Sequence, residues 1–409
     1  MDGRGASFPL TPNTIKPTRD IVVSETLLLQ NNSQHQLQPP PLHESFRSQP
    51  LSATLSHLES LLHLTGITRL SNITGLDDIG IPVWQAIRPD SKFLCVAQGK
   101  GLNPTQAKVS AIMESLELYH LESDHLPKIV CSYDARDKQH FHLNPEHIHH
   151  GCFMHPNLSE QPLDWVSSTH LMDQSPMWIP HAAIAMNMTL QTPQAHYFRQ
   201  TTTGIAGGNT ATEACTKALL EVIERHTLTQ WKHDQNILAK RIQLNDQHPQ
   251  IDYVLSAITQ QNKSVTLYRI SNTWNIPVYF CEIIDNNLTR SIGTCIGSGC
   301  HLDDAQAIIA ALLEAIQTRL TIISGSRDDN YSTSYQQRYV NTPISLQAPR
   351  QTLSHEELIS QETTSEKALQ QLINTLTHHG TSDIYCIDHT HEKLNIPMMQ
   401  VIIPSLGWL

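Results

Sequence analysis

The sequence predicts a mixed fold of the α/β or α+β class, in which short strands are interleaved with long helices. Two observations lead to this prediction. Short runs rich in apolar and β-branched residues are typical of strands, and they occur at 82–87, 93–97, 265–270, 276–284 and 398–403. Between them lie longer segments whose apolar residues recur with the period of an amphipathic helix. Such interleaving in a chain of 409 residues favours a mixed domain with a sizeable core.

Residues 1–44 are predicted to be a poorly ordered extension. Segment 30–42 reads QNNSQHQLQPPPL, which is polar and proline-rich and offers little to a core. A helical apolar pattern begins at Leu51 and is expected to end near Gly66. The folded domain is therefore expected to span 45–409.

Composition excludes several classes of protein. The net charge of -11 disfavours a nucleic-acid partner, because an acidic surface repels phosphate backbones. The eight cysteines form no CxxC pair, and a chain of this size needs no disulfide framework. No uninterrupted run of about 18 apolar residues indicates a membrane span, and the first residues do not form a secretory signal. We therefore expect a cytoplasmic protein with reduced thiols.

Histidine is abundant, with 24 residues, and it is locally clustered at 149–150, at 378–379 and at His389 with His391. No HExxH spacing accompanies these clusters, so they do not form a recognisable zinc motif. We interpret most of the histidines as a compositional bias of the surface.

Three helical segments, each after a glycine-rich turn, share one internal pattern. They lie at 99–122, 204–231 and 297–325. Each carries an alanine, a glutamate seven residues later, and a glutamate or glutamine three residues further on: Ala107–Glu114–Glu117, Ala214–Glu221–Glu224 and Ala307–Glu314–Gln317. The identical spacing in all three segments indicates an internal repeat.

This spacing places acidic pairs on single faces of buried helices. Positions i and i+3 lie on the same face, and the apolar neighbours of the glutamates predict burial. Unpaired buried carboxylates cost several kcal/mol each, so they need cations. Arg225 and Arg319 are near, but Mg²⁺ serves better where phosphates must also be held, because it binds oxygens of both. Two alternatives stay open: solvent-facing partners of Lys and Arg, or a duplicated packing unit without chemistry.

The glycine turns fit an anion site. Gly207 and Gly208 precede Asn209 at the start of a helix, where backbone approaches ligands closely and anions are favoured. Asn209 or Thr210 also suits ordinary N-capping. Lys100, in the turn GKG, could reach a phosphate, but no GxxxxGK[ST] motif is present. Any nucleotide site is therefore not a Walker A loop.

The same segments resemble the YcaO family along most of residues 47–329. The resemblance rests on GITRLSNITGLDDIGIPVWQAIRPDSKFLCVAQGKG at 66–101, TTTGIAGGNTATEACTKALLEVIERH at 201–226 and EAIQTRLTIISGSRDD at 314–329. The sequences of these segments are most similar to those of the family branch whose members act together with a TfuA protein. The resemblance identifies 45–409 as a YcaO-type domain, with signature segments at 66–122, 201–232 and 297–329.

The resemblance implies a fold of mixed and antiparallel sheets packed with long helices. It also implies a reaction that uses ATP and Mg²⁺, in which the oxygen of a peptide backbone amide is phosphorylated so that it can leave. A nucleophile then attacks the amide carbon. Cysteine, serine or threonine side chains give azolines, external sulfide gives a thioamide, and an internal amide gives an amidine.

The resemblance assigns individual residues as well. The expected Mg²⁺ ligands are Glu114, Glu117, Glu221 and Glu224. The expected ATP contacts, to which Lys100 is added from its glycine turn, are Arg47, Thr54, Lys100, Asn209, Arg225, Gln317, Arg319 and Arg327. The expected catalytic residues are Glu221, Glu224, Arg319 and Arg327.

One departure from the family pattern bears on the product. Many azoline-forming members end in a proline-rich PxPxP tail, whereas this sequence ends IPSLGWL. Thioamide formation on a precursor peptide is therefore favoured, with a TfuA-like or other partner for substrate capture or sulfur delivery. A homodimer is compatible with the resemblance. The alternatives are an azoline-forming cyclodehydratase and, in another class, a non-catalytic ATP-binding accessory in ribosomal-protein modification.

Overall fold

Three β-sheets flanked by helices form the described part of this computed structural model. The structure describes residues 22–24, 40–41, 46–136, 142–148, 157–189, 194, 197–234, 237–244, 248–287, 292–329, 350–353 and 363–407. The α-helices among them are α1 Leu51–Leu61, α2 Pro104–Glu122, α3 His181–Ile184, α4 Ala211–His233, α5 Pro249–Gln260, α6 Asp304–Ser324 and α7 Ser365–His378. The strands are β1 Val22–Ser24, β2 Arg69–Asn72, β3 Val83–Ile87, β4 Val96–Lys100, β5 Ile129–Ser132, β6 Pro162–His170, β7 Pro176–Pro180, β8 Ile205–Gly207, β9 Ala239–Leu244, β10 Lys263–Ile270, β11 Val278–Asp285, β12 Cys295–Cys300, β13 Arg350–Leu353, β14 Tyr385–Asp388 and β15 Met398–Ile402.

The sheets are mixed, with a strong preference for antiparallel pairing. The first has the strand order β1–β2–β3–β4, the second β12–β11–β10–β9–β13, and the third β5–β6–β14–β15–β8 with β7 paired to β6. Only the pairs β1–β2 and β9–β13 are parallel among these described strands. Helices α1 and α2 cover the first sheet, α5 and α6 pack on the second, and α4 contacts both the second and the third. The predicted mixed fold is confirmed.

Each sequence repeat folds as a strand, a turn and a helix. Strand β4 leads into α2, β8 into α4 and β12 into α6, so the three predicted helices are confirmed. A side chain caps each helix, because Asn103, Thr210 and Asp303 accept hydrogen bonds from the backbone N–H of Gln106, Glu213 and Gln306 at 2.9, 3.1 and 3.0 Å. The three repeat alanines are fully buried. The repeat is therefore a structural unit as well as a sequence pattern.

Strand β4 begins three residues later than the apolar run at 93–97 and continues to Lys100. The pattern does not signal its later part, because Gln98, Gly99 and Lys100 are not typical strand residues. Pairing with β3 holds them in the sheet, and α2 packs directly over them. A Cβ added to Gly99 would lie 2.0 Å from the backbone nitrogen of Ala111. Glycine at position 99 allows α2 to pack closely against the strand. An apolar strand pattern contains no information about such a contact.

Helix α6 is long and apolar enough, by length and composition alone, to cross a membrane. It is the one such helix in the described residues, with a mean hydropathy of 1.5 over its best window. Of that window, 61% is buried inside the protein, and the helix packs against β11 and β12. These contacts are those of a core helix. Glu314 and Arg319 interrupt its apolar run.

Two short parts of the predicted N-terminal extension are described. Strand β1 pairs with β2, placing Val22 opposite Arg69. Further along, the carbonyl oxygen of Pro41 accepts a hydrogen bond of 2.7 Å from Gln250 Nε2 at the start of α5. Apart from Pro40, the rest of the extension lies outside the described residues, and the boundary at residue 45 stays a prediction.

Candidate functional site

Five glutamates from α2, α4 and α6 form one carboxylate cluster: Glu114, Glu117, Glu221, Glu224 and Glu314. Helix α2 contacts β8, α4 contacts β8 and β12, and α6 contacts β12 and β4, which brings the acidic faces together. Ser298 of β12 joins two of the helices, because its Oγ lies 2.7 Å from Glu224 Oε1 and 3.3 Å from Glu314 Oε1. The backbone N–H of Gly207 donates to Glu117 Oε1 at 2.9 Å.

Four basic residues surround the carboxylate cluster. Lys100 Nζ lies 3.1 Å from Glu314 Oε2, and Arg225 Nε lies 3.7 Å from Glu221 Oε1. Arg327 is close enough for its charge to act on Glu114, and the charge of Lys217 acts on Glu117. Five carboxylates thus face four basic side chains, so the cluster carries an excess of acid. The side chains of Glu221 and Glu314 keep 29% and 28% of their surface exposed, so the cluster is partly open to solvent.

Four of the five acids of the cluster have raised pKa values and so resist ionisation. Burial raises the pKa of Glu117 to about 8, with Glu221 and Glu114 adding repulsion and the Gly207 N–H opposing it. Burial likewise raises the pKa of Glu221 to about 7, while Arg225 opposes the shift. The pKa values of Glu114 and Glu224 are also raised, first by burial. Burial acts on Glu314 too, but Lys100 and Arg225 outweigh it and hold the pKa of Glu314 below its usual range.

Such a cluster suits cations that are shared with phosphate groups. Among the described residues, no three His, Cys, Asp or Glu side chains converge tightly enough to enclose a metal by themselves. Mg²⁺ does not require such a cage, because it commonly binds one or two carboxylates together with waters and substrate phosphates. A bound divalent cation would stabilise the ionised carboxylates and so lower these raised pKa values. The residues therefore fit Mg²⁺ bound with a polyphosphate.

A second part of the site surrounds Asn209, at the start of α4. Thr54 Oγ1 donates to Asn209 Oδ1 at 2.8 Å, and Asn209 Nδ2 donates to Glu213 Oε2 at 3.1 Å. Ser48, the neighbour of Arg47, contacts the same Glu213 oxygen through its backbone N–H at 3.4 Å. Thr54 and Asn209 line a cavity of about 290 Å³ that also includes Met113, the neighbour of Glu114. This cavity therefore adjoins α2, the helix that carries two of the five cluster acids.

The structure does not bring every sequence-predicted residue to the cluster. Gln317 Nε2 donates to the backbone oxygen of Gln98 at 2.9 Å, tying α6 to β4. Arg319 is 3% exposed. It donates to both carboxylate oxygens of Asp77 at 2.9 and 3.1 Å and to Asp285 Oδ2 at 3.1 Å. These contacts engage Nε and both terminal nitrogens of Arg319 away from the five glutamates.

Arg327 differs from Arg319 in this respect. Its Nε and one terminal nitrogen donate to Asp329 at 2.9 and 2.7 Å, in a partly exposed pair. Its charge still lowers the pKa of Glu114. Arg327 therefore stands at the rim of the cluster, oriented by a neighbour two residues along the chain.

Three functional candidates were not assigned from the sequence. Glu314 occupies the same repeat position as Glu114 and Glu221, so the repeat signal could have identified it. Glu213 lies three residues after the N-cap Thr210, which is the capping-box position. Ser298 carries no sequence signal, because only the packing of β12 between α4 and α6 places its hydroxyl between two glutamates.

Comparisons with known proteins agree with this geometry. A sequence profile of the family described as YcaO cyclodehydratase, ATP- and Mg²⁺-binding, matches residues 98–407. An uncharacterized protein in the tfuA 3′ region of Rhizobium leguminosarum bv. trifolii is 29% identical over 387 residues, which is 88% of this chain and 87% of that protein. The structure of YcaO from Methanopyrus kandleri bound with AMPPCP and Mg²⁺ is similar, with a TM-score of 0.67 and 19% identity over 89% of this chain and 93% of that one.

A heterocyclase in complex with substrate and cofactor also shares the fold. Its TM-score is 0.72 at 18% identity, over 90% of this chain and 55% of that one. In this chain three repeated helices bring five carboxylates together, and the sequence has no Walker A motif. The profile match covers well over half of the chain, and this protein belongs to the YcaO family. ATP and Mg²⁺ are the cofactors of that family.

Binding of Mg²⁺ with ATP is expected to release about one to two protons per chain at about pH 6.5, because the cation displaces protons from Glu117 and Glu221. Affinity should rise as pH increases through the pKa values of about 7 and 8. Calorimetry in buffers of different ionisation enthalpy measures the protons released. Glu117→Gln should release fewer, while exposed Glu366→Gln on α7 should match the wild type.

The same pKa values determine whether the stability of the folded protein rises or falls with pH. Both lie above the ordinary glutamate value of 4.5, so the ligand-free folded protein holds more protons than the unfolded chain between those limits. Stability without ligand should therefore fall as pH rises from about 4.5 to about 8. Binding that releases no protons in any buffer would contradict this account of the cluster.

Proposed function

We propose that this protein uses ATP and Mg²⁺ to activate a backbone amide of a peptide. The proposal depends chiefly on the carboxylate cluster, in which five glutamates outnumber four basic side chains beside the cavity of Thr54 and Asn209. Membership of the YcaO family supports it, because that family is described as cyclodehydratases that bind ATP and Mg²⁺.

In this proposal bound ATP supplies the phosphoryl group that makes the amide oxygen a leaving group, and Mg²⁺ supplies positive charge at the phosphates. The cluster glutamates hold the cations. Lys100, Arg225 and Arg327 place fixed positive charge where the phosphoryl oxygens accumulate negative charge. Thr54 and Asn209 orient the nucleotide from the adjoining cavity, with Arg47 beside them.

Two residues that the resemblance assigned to ATP contacts, Gln317 and Arg319, have a structural role in the proposal. Gln317 fastens α6 to β4 at the backbone of Gln98. Arg319 joins α6 to Asp77 and Asp285. Both contacts hold the third helix in register with the other two. We therefore assign Gln317 and Arg319 to positioning the site.

We further propose that the product is a thioamide, formed with a TfuA-like partner on a precursor peptide. The relative in the tfuA 3′ region supports such a partner. Three of the described thiols form the reactive thiolate poorly, because burial raises the pKa of Cys281 and Cys300 well above the ordinary value and raises that of Cys95 to about 11. Sulfide would then come from the partner. The homodimer and the cytoplasmic location stay predictions.

Azoline formation is the second candidate. It is favoured by the family description as cyclodehydratases and by the structural similarity to a heterocyclase. Both reactions use the same activated amide and differ in the nucleophile, which is external sulfide in one and a side chain of the peptide in the other. A non-catalytic ATP-binding accessory is the third reading.

We expect the modified peptide to have a backbone oxygen replaced by sulfur. The test is mass spectrometry of a precursor peptide encoded beside this gene, coexpressed with the protein and its TfuA-like neighbour. Coexpression with Glu221→Gln in place of the wild type is the control and should leave the peptide unmodified. A product lighter by one water per Cys, Ser or Thr would establish the azoline reaction instead. An unmodified peptide with no ATP consumed would favour the accessory.

A further inference from the structure

Lys217 of α4 joins the two parts of the candidate site. Its Nζ donates to Glu213 Oε1 at 2.8 Å and to the backbone oxygen of Gly207 at 3.4 Å. Glu213 also accepts a hydrogen bond from Asn209, which lines the cavity beside α2. The N–H of Gly207 donates to Glu117 of the carboxylate cluster, on which the charge of Lys217 also acts. One ammonium group therefore contacts both the network of Asn209 and the turn that holds a cluster acid.

The carboxylate of Glu213 holds this ammonium group in place. The Glu213 side chain is 1% exposed, and its Oε2 accepts from Asn209 Nδ2 at 3.1 Å and from the backbone N–H of Asn209 at 3.3 Å. Ser48 Oγ donates to the same oxygen at 3.3 Å. Burial acts to raise the pKa of Glu213, but the charge and the hydrogen bond of Lys217 lead the contributions that outweigh burial and lower the pKa. Glu213 is thus an ionised, buried anchor, and Lys217 is its cation.

The ammonium group of Lys217 keeps one donor unused. A lysine ammonium has three N–H groups, and Glu213 and Gly207 accept two of them. Within the residues that the structure describes, the third N–H has no acceptor. The Lys217 side chain is 37% exposed, so a dissolved ligand can reach it. A fixed positive charge with a free N–H is a contact for an anionic oxygen.

The position of Lys217 lies on the path of a polyphosphate between the two parts of the site. Lys217 precedes Glu221 by four residues, so it lies on the face of α4 that carries the cluster acids. Next to the carbonyl group that binds Lys217, Gly208 and Asn209 line the cavity of about 290 Å³. A nucleotide that is oriented from that cavity, with its cations on the cluster, has its phosphates between these two groups of residues.

We propose that Lys217 is a nucleotide-binding residue whose third N–H donates to a phosphate oxygen of bound ATP. The inference rests on the proposed function for the location of the nucleotide, and it adds a contact that neither the repeat pattern nor the family resemblance assigned. Lysine suits this position, because its ammonium is a compact point charge that can keep its bonds to Glu213 and Gly207 while it binds a third oxygen. Lys217 would thus link the orientation of the nucleotide at Asn209 to cation binding at the cluster.

A lysine with a purely structural role would behave differently. It would affect ATP only through Glu213, whose negative charge would repel phosphate once its cation is removed. A double-mutant cycle separates the two roles. Glu213→Gln retains an oxygen that accepts from Asn209, but it removes the charge that a structural lysine neutralises. An effect of Lys217 on ATP that persists in this background is therefore direct.

The test measures binding of MgATP to the full-length protein by calorimetry, without peptide or partner. Lys217→Met should weaken binding by about 10- to 100-fold, which is the effect of losing one charge-assisted hydrogen bond. Lys232→Met is the matched control, because it makes the same change near the exposed end of α4, and it should bind like the wild type. In the Glu213→Gln background, adding Lys217→Met should again weaken binding by at least about tenfold.

The outcomes distinguish this inference from the proposed function. A change of less than about twofold in the Glu213→Gln background would overturn the inference and leave the proposed function standing. The double variant carries neither charge of the pair, so this comparison does not depend on the stability of Lys217→Met alone. Wild-type protein that binds no MgATP would overturn both. Binding that follows the expected cycle, together with an unmodified peptide, would contradict only the proposed function.

Discussion

Replacement of Glu221 or Glu224 by glutamine is expected to reduce ATP turnover by roughly 100-fold or more while the protein remains folded. Both side chains lie on α4 among acids from two other helices, and Glu224 accepts a hydrogen bond from Ser298 at 2.7 Å. Glutamine preserves the shape of each side chain but removes the negative charge that binds a cation. The loss should therefore appear in metal and nucleotide binding, with little change in packing.

A stability measurement distinguishes this loss from misfolding. Burial disfavours the ionised form of Glu221, whose pKa is about 7, so the neutral amide should make the ligand-free protein equally or more stable at about pH 8. The matched control is Glu366→Gln on the exposed surface of α7, which should turn over ATP like the wild type. Wild-type turnover by either site variant, with peptide and partner present, would exclude these residues as cation ligands.

Replacement of Arg319 by methionine is expected to lower the free energy of unfolding by about 3–5 kcal/mol, because it leaves buried Asp77 without its cation and leaves buried Asp285 with Lys263 alone, 3.6 Å away. Arg319, Asp77 and Asp285 have side chains that are 4%, 5% and 8% exposed, so water cannot replace the lost partner. Denaturant unfolding at about pH 7 measures the change. Adding Asp77→Asn to the methionine variant should recover part of the loss, since it removes the carboxylate charge that has lost its cation.

Arg319→Lys separates a positioning role from direct contact with phosphate. Lysine keeps the charge but cannot make the paired contact with both oxygens of Asp77. We expect the lysine variant to be less stable than the wild type. The fraction of the variant that remains folded should bind nucleotide with the affinity of the wild type. A lysine variant that unfolds like the wild type but no longer binds ATP would instead place Arg319 at the nucleotide.

Local patterns predicted much of the fold. The three repeat helices were found at the expected segments, because apolar period and capping residues act within a few positions of the chain. Helix α1 was predicted to end near Gly66, but it ends at Leu61. Gly66, with a φ of 75°, instead ends the turn that follows the helix. Strand β4 was predicted three residues too early. Its later part contains Gly99, whose presence in the strand is explained by close contact with α2 rather than by strand propensity.

The sequence by itself determined which acids share a helix face, because an i, i+3 spacing is a property of one helix. It also carried the resemblance that led to the YcaO family. Tertiary structure alone decided how those faces meet. Glu314 contacts Lys100 across 214 positions of the chain, and Ser298 reaches Glu224 across 74.

The same distinction explains the contacts of Arg319 and of His125. Arg319 finds Asp77 across 242 positions, and His125 reaches His389 across 264. Sequence spacing reports which side chains neighbour one another along a helix or strand, and it contains no distance between elements. Partners this far apart come together only when the sheets and helices pack, because burial then removes water and makes a nearby charge or hydrogen-bond acceptor favourable.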